Sequence, residues 1–160
     1  MILGMSTFTF VHVLISLVGI ATGLVVAYGL LTAQRLEGWT ACFLATTVAT
    51  SVTGFFFPFH GFTPAIGVGI LSMIVLIAAI VALYVFHLAG AWRWIYVAGA
   101  VIALYFNVFV LIVQSFQKIA PLKALAPTQS EPPFLIVQVA ALLIFIAVGI
   151  ASIRRFHPPA

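Results

Sequence analysis

The sequence predicts an all-α fold, a polytopic bundle of transmembrane helices that forms a single domain over residues 1–160. Only 5% of the residues are charged and 65% are hydrophobic, whereas a soluble domain carries roughly a quarter charged residues. Several apolar runs reach the length of about 20 residues that a helix needs to cross a bilayer. These runs do not alternate polar and apolar residues as barrel strands do, so helices must satisfy the backbone in lipid.

The first three spans are predicted at residues 8–31, 39–57 and 64–88. The first follows two hydroxyl residues that can cap a helix. Its apolar run is longer than the roughly 7 to 15 residues of a secretory signal core, so we expect a retained span. The second is dense in threonine and serine, which permit close contact between helices. The third begins with Thr63 and Pro64, the cap-then-proline order that starts helices.

The fourth and fifth spans are predicted at residues 92–116 and 133–153. The fifth is introduced by Glu131 and a pair of prolines, and both residue types suit the first turn of a helix. The link over residues 117–132 carries lysines and prolines, and we expect an ordered cap or a short surface helix there. The other connections are short, so neighbouring helices must run antiparallel.

The cations outside the spans predict the orientation of the bundle. Five spans place the two termini on opposite sides, and the face that carries more Lys and Arg is normally cytoplasmic. We therefore expect the C-terminus in the cytoplasm and the N-terminus outside. The cations of the two sides are Arg35, Arg93, Arg154 and Arg155 with the C-terminus, against Lys118 and Lys123 on the other side.

The charge pattern excludes several functional classes. No predicted span holds an acidic or basic residue in its core, as proton-coupled and ion-coupled carriers normally do. Paired carboxylates for acid–base chemistry, a phosphate loop and a nucleophile elbow are all missing from the sequence, which argues against an enzyme. The net charge of +4 comes from residues at segment ends, so membrane lipid and not nucleic acid is the expected partner.

Two histidines are the candidate cofactor ligands. His12 and His60 fall near the outer ends of the first and second spans, where they can approach each other. Neutral imidazole suits haem b or copper. The alternative is a hydrogen bond from each histidine to a neighbouring helix or to water. We predict no cofactor outright and leave the identity of a metal open.

The fourth span carries a stripe of polar and small residues at helical spacing. An amide near the middle of the bilayer is costly unless it is paired, so Asn107 must face other helices or a cavity. One interpretation is a pore or ligand pocket, and the alternative is an interhelical hydrogen bond. The candidate lining residues are Tyr96, Asn107 and Gln114 of this stripe and Gln138 of the fifth span.

Small residues are predicted to pack the helices. Gly19 and Gly23 form a GxxxG motif in the first span, and Ser16 continues its face. Gly99 and Ala103 have the same role in the fourth span. These faces can hold the bundle together or bind a partner span in a homo-oligomer or a larger membrane complex.

Three stretches carry a resemblance to a known family. They are Phe86–Tyr96 (FHLAGAWRWIY), Ala103–Phe109 (ALYFNVF) and Ala124–Phe134 (ALAPTQSEPPF). Together they resemble a family of small multi-span proteins of proteobacterial inner membranes that has no assigned activity. The resemblance implies a multi-pass protein of the bacterial inner membrane and transfers no site residue.

Three functions follow as hypotheses. The first is a non-enzymatic accessory or scaffold subunit of a membrane assembly, because the spans lack charge and present small-residue faces. The second is a haem- or copper-binding redox protein that uses His12 and His60. The third is a channel or carrier for a small neutral solute, lined by Asn107 and Gln114.

Overall fold

The computed structural model describes residues 6–58 and 61–158, and these residues form helices and no strand. The prediction of an all-α bundle is therefore confirmed. The helices are α1 (Thr7–Leu31), α2 (Glu37–Gly54), α3 (Pro64–Ile80, continued by a π-helical turn at Val81–Val85), α4 (Trp92–Lys118), α5 (Ala120–Leu125) and α6 (Pro132–Arg155).

Four of these helices are long and apolar enough to cross a membrane, namely α1, α3 with its π-helical turn, α4 and α6. The protein is thus compatible with an integral membrane protein. Helix α2 differs from the other four, because its 18 residues include Glu37 and a high proportion of threonine and serine. Much of this polarity is turned inward, since Thr47 is 0% exposed and Thr40 and Ser51 are also buried.

Two helices end earlier than the sequence predicts. Helix α2 ends at Gly54 and not at residue 57, because the chain turns there towards Pro58, which has no N–H to continue a helix. The third predicted span extends to residue 88, but the helical structure ends at Val85. Beyond it His87, Leu88 and Gly90 adopt left-handed backbone angles, with φ of 46°, 61° and 54°, which no helix accommodates.

Contacts between side chains fix the direction of each helix. His12 contacts Thr53 and Gly23 lies against Phe43, so residue numbers rise along α1 as they fall along α2. Helix α4 is likewise antiparallel to α1, to α3 and to α6. Helix α4 lies at the centre: 39% of its most apolar stretch is buried, against 11% for α6.

Arg93 attaches the end of α6 to the beginning of α4. Its Nη1 donates to the carbonyl oxygens of Ile153 at 3.0 Å and Phe156 at 2.8 Å. The last carbonyls of a helix have no partner within the helix, and a cation is favourable there because of the helix dipole. This partly buried contact holds α6 against the central helix.

The link between α4 and α6 contains the short surface helix α5, and its last residues fold around one carboxylate. Glu131 accepts hydrogen bonds from the hydroxyl of Thr128 at 2.8 Å and from the N–H of Ser130 at 3.1 Å. Desolvation raises the pKa of this carboxyl group, but the hydrogen bonds from Thr128, Ser130 and the backbone together lower the pKa below its usual value.

The turn before α6 should therefore loosen in acid. A carboxyl group whose pKa is lowered by folding stabilises the fold above its unfolded pKa, and this contribution is lost as the pH falls through the folded pKa. Below the folded pKa of Glu131, the amide hydrogens of Thr128 and Ser130 should exchange faster relative to their intrinsic rates. The variant Glu131→Gln should show fast exchange already at neutral pH, and protection that is independent of pH and of Glu131 would contradict this account.

Candidate functional site

A cavity of about 490 Å³ lies between α1, α2, α3 and α4 at the end of the bundle where α1 begins. We call it the His12 cavity. It extends from Thr9 and Lys118 at its mouth to Ile20 and Asn107 at its floor. Leu111 and Ile119, which are 38% and 49% exposed, belong to its wall. The cavity is therefore open to the outside of the bundle.

The lining of the His12 cavity is mainly apolar, with polar groups distributed through it. Helix α3 contributes mostly apolar residues such as Ile66, whereas α1 and α4 each contribute both kinds, with Asn107 and Gln114 among the polar residues of α4. Of the described residues that line it, Lys118 at the mouth is the one with a formal charge. The polar lining residues of α1 and α2 are Thr9, His12, Ser16, Thr50 and Ser51.

His12 is held in the cavity wall by a residue of α2. Its Nδ1 lies 2.7 Å from Thr53 Oγ1, and its ring meets the Phe57 ring edge-on with centroids 5.0 Å apart. The Thr53 hydroxyl lies 2.6 Å from the carbonyl oxygen of Ala49, to which it donates. The hydrogen bond between His12 Nδ1 and Thr53 therefore fixes the orientation of the imidazole ring against α2.

Asn107 forms the floor of the His12 cavity. Its Nδ2 donates to Thr47 Oγ1 at 3.1 Å, and a Cβ atom at Gly19 would lie 3.5 Å from the same nitrogen. Asn107 therefore both forms an interhelical hydrogen bond and lines the cavity, the two roles that the sequence offers as alternatives. Gln114 lines the cavity seven residues further along α4, about 10 Å closer to the mouth at 1.5 Å per residue.

A second cavity of about 250 Å³ lies at the opposite end of the bundle, and we call it the Tyr96 cavity. Tyr96 lines it from α4, so the predicted stripe is divided between two cavities. Charged and polar side chains complete the wall, with Arg35 and His87 from the connecting loops and Glu37 from the first residue of α2. The π-helical turn of α3 contributes Tyr84 to this cavity.

A packed septum separates the two cavities. Gly23 lies at its centre, where a Cβ atom would come within 2.5 Å of Leu104 Cδ1 and 2.8 Å of Phe43 Cε2. Phe43 is 0% and Leu104 2% exposed, so neither side chain has space to move. On α1 the septum extends from Ile20 to Val26, about 9 Å along the axis.

The remaining predicted packing residues lie between helices. A Cβ atom at Gly99 would come within 3.0 Å of Ala79 Cβ and 3.2 Å of the carbonyl oxygen of Val75, so α3 and α4 approach closely there. Ala103 is 0% exposed. Ser16 donates to the carbonyl oxygen of His12 at 2.7 Å and lines the cavity.

Gln138, a candidate lining residue from the sequence, is not among the residues that line either cavity. Its Nε2 donates to the carbonyl oxygen of Phe109 at 3.3 Å, and its buried Oε1 has no partner in the part of the chain that the structure describes. Phe109 and Gln114 are five positions apart on α4, which points them about 140° apart around the helix. Gln138 therefore packs against a different face of α4.

The predicted metal or haem site stays a prediction. His60 lies outside the described residues, so its distance from His12 is not defined. Within residues 6–58 and 61–158 no three His, Cys, Asp or Glu side chains group as metal ligands do.

Comparison of the chain with family models, with curated proteins and with solved structures finds no match in any of the three.

Sequence reasoning finds the lining residues of α4 but misses their partners. Thr53 and Thr47 are two of many hydroxyl residues in α2, and nothing in their own sequence environment distinguishes them. The antiparallel pairing of α1 with α2 selects them, since Thr53 lies level with His12 and Thr47 with Gly19.

We expect the septum to tolerate no added atom at Gly23. Gly23→Ala should reduce the free energy of unfolding by about 1 to 3 kcal/mol, as overpacking of a filled core does. Gly38→Ala is the matched control, because no atom lies within 4 Å of a Cβ built at that helical glycine. Thermal unfolding in detergent measures both variants.

A second change distinguishes overpacking from a general intolerance of α1. Adding Leu104→Ala to Gly23→Ala removes the closest contact atom, so the two effects should not add. Additive losses, or equal losses for Gly38→Ala, would contradict the packing explanation.

Proposed function

We propose that the protein is an integral membrane protein that binds a small neutral amphipathic molecule in the His12 cavity. The observation that carries this proposal is the size and lining of the cavity, a site of about 490 Å³ whose mainly apolar lining includes a few polar groups. Ligand pockets typically measure about 300 to 1,000 Å³ and combine apolar walls with a few polar groups that orient the ligand.

The charges around the cavity favour a neutral ligand. No acidic side chain lines it among the described residues, and Lys118 lies exposed at the mouth. A cation would have no counter-charge in such a site, and burying an unpaired charge is costly. The apolar lining residues, such as Ile66 and Val110, suit a hydrocarbon portion, while polar lining residues, such as His12 and Gln114, suit a hydrogen-bonding group.

The closed septum favours binding over an open conduit. Among the three predicted functions, the channel or carrier for a small neutral solute agrees best with the lining by Asn107 and Gln114. The septum at Gly23, Phe43 and Leu104 closes the His12 cavity at its floor, so passage of a solute would require these helices to separate. The accessory or scaffold role and the haem or copper role stay predictions.

Five spans, with α2 as the second, agree with the alternating direction of the helices. The 18 residues of α2 extend about 27 Å, close to the hydrocarbon thickness of about 30 Å. Its polar residues are paired within the bundle, as with Thr47 and Asn107, which lowers the cost of placing them in lipid. We place the C-terminus in the cytoplasm of a bacterium whose inner membrane holds the protein, as the cations and the family resemblance predict.

The topology has a direct test. Single cysteines introduced at Ala33, Ala89 and His157 in a Cys42→Ala background should react with a membrane-impermeant maleimide only after the cells are opened. Cysteines at Ser6, Phe62 and Ala124 should react in intact cells whose outer membrane is permeabilised. A four-span arrangement would place Ser6 and Phe62 on opposite sides and would contradict the proposal.

Binding has a test that uses the cavity shape. Val110 lines the cavity, so Val110→Trp should fill part of it and weaken binding of the neutral fluorophore 1-aminoanthracene by about tenfold, equivalent to about 1.4 kcal/mol. Fluorescence titration of protein in lipid nanodiscs, corrected with empty nanodiscs, measures the affinity.

Val139→Trp is the matched control, because Val139 is 52% exposed on α6 and is not one of the residues that line the cavity. It should leave the affinity within twofold of the unmodified protein. Equal effects of the two substitutions, or saturable binding that neither changes, would overturn the assignment of the cavity as the binding site.

A further inference from the structure

The hydrogen bonds around His12 decide which ring nitrogen carries the proton. The Thr53 hydroxyl has one hydrogen, and its short contact of 2.6 Å with the carbonyl oxygen of Ala49 directs that hydrogen to the backbone. This i to i−4 bond is the usual arrangement for threonine in a helix. Thr53 Oγ1 must therefore accept from His12 Nδ1 across the 2.7 Å contact. In the neutral imidazole the other nitrogen, Nε2, is then an acceptor with no hydrogen.

The acceptor nitrogen belongs to a ring that lines the His12 cavity. The two nitrogens of an imidazole point in different directions, so Nε2 does not face the Thr53 hydroxyl that binds Nδ1. Among the described residues no donor hydrogen-bonds Nε2, whereas Nδ1 has its partner.

We propose that His12 Nε2 accepts a hydrogen bond from a hydroxyl group of the bound molecule, so that the cavity selects amphipathic alcohols and phenols over ethers and ketones of the same shape. This inference rests on the proposed function of the cavity and names the chemical class of its ligand. Thr53 is the positioning residue, because it holds the tautomer that leaves Nε2 without a hydrogen.

The depth of the cavity agrees with this class of ligand. His12 and Gln114 lie near the same level, since the α1–α4 contact of Gly19 with Asn107 is seven residues away on both helices. The distance from this level to the floor is about 10 Å, and Val110 and Phe106 line it from α4. A hydroxyl at His12 thus leaves room for a ring or short chain towards Asn107.

Two probes with the same ring system separate donor from acceptor. 2-Naphthol has a hydroxyl hydrogen, and 2-methoxynaphthalene has a methyl group in its place. Because the ether partitions more strongly into lipid, the measured quantity is the ratio of the two affinities in each variant, with empty nanodiscs subtracted. Lipid partitioning alone sets an expected ratio of the two affinities. The measured ratio should exceed it in favour of 2-naphthol by about threefold to tenfold, the range for one neutral hydrogen bond.

Variants of His12 and Thr53 test the two roles. His12→Phe keeps an aromatic ring without an acceptor, so the preference should disappear while 2-methoxynaphthalene still binds. Thr53→Val removes the partner of Nδ1 and releases the tautomer, so the preference should fall, whereas Thr53→Ser keeps the hydroxyl and should preserve it. Thermal unfolding of each variant shows whether it is folded, and the Thr53 pair answers the question if His12→Phe does not fold.

The outcomes distinguish the two proposals. The role of His12 would be overturned if the unmodified protein, His12→Phe and Thr53→Val all showed the same preference for 2-naphthol. The binding function would still be supported in that case if Val110→Trp weakened the binding of both probes. If neither probe binds saturably in a manner sensitive to Val110→Trp, the proposed binding function itself fails. A preference for 2-naphthol that falls in Thr53→Val and is preserved in Thr53→Ser supports both proposals.

Discussion

The close approach of α1 to α4 determines the rest of this bundle. At Gly23 the two helices and Phe43 of α2 come together with no space for one methyl group, and this contact places α4 in the centre. A helix can be this near its neighbours only where side chains are small. A cavity lies on either side of this contact, and both cavities are lined by α1, α2 and α4, the helices that meet there. The contact at Gly23 is therefore the boundary between two separate sites.

The absence of water in a bilayer explains how the polar residues are arranged. In lipid every buried donor and acceptor must find a partner inside the protein. The hydroxyls of α1 and α2 mostly bond to their own helix, as Thr22, Thr46 and Thr53 do. The exceptions connect helices, such as Asn107 with Thr47 and His12 with Thr53. These two cross-helix bonds lie at the floor and in the wall of the same cavity, so the residues that bind α1 and α4 to α2 also shape the site.

The sequence predicts the helices of this protein better than their pairing. Runs of apolar residues and the absence of charge define the long helices within a few residues, since the bilayer requires both. Helix ends are less certain, because the left-handed residues after Val85 and the turn after Gly54 depend on local backbone geometry. The residues of the α4 stripe line two separate cavities, and this division follows from packing at Gly23 and Gly99. The partners of His12 and Asn107 could not be predicted, because they depend on the axial register of α1 against α2.

The π-helical turn at Val81–Val85 gives the end of α3 a degree of independence from the rest of the helix. The N–H of Phe86 bonds to the carbonyl oxygen of Val81, five residues earlier, so the turn is wider than an α-helical one and holds an additional residue. An inserted residue changes the direction in which all later side chains of the helix point, and it leaves the earlier side chains in place. Tyr84 and His87 can therefore face the Tyr96 cavity while Ser72 and Gly69 keep their positions at the other end. The two ends of α3 are free to vary separately in evolution, since altering the wall at one end does not rotate the wall at the other.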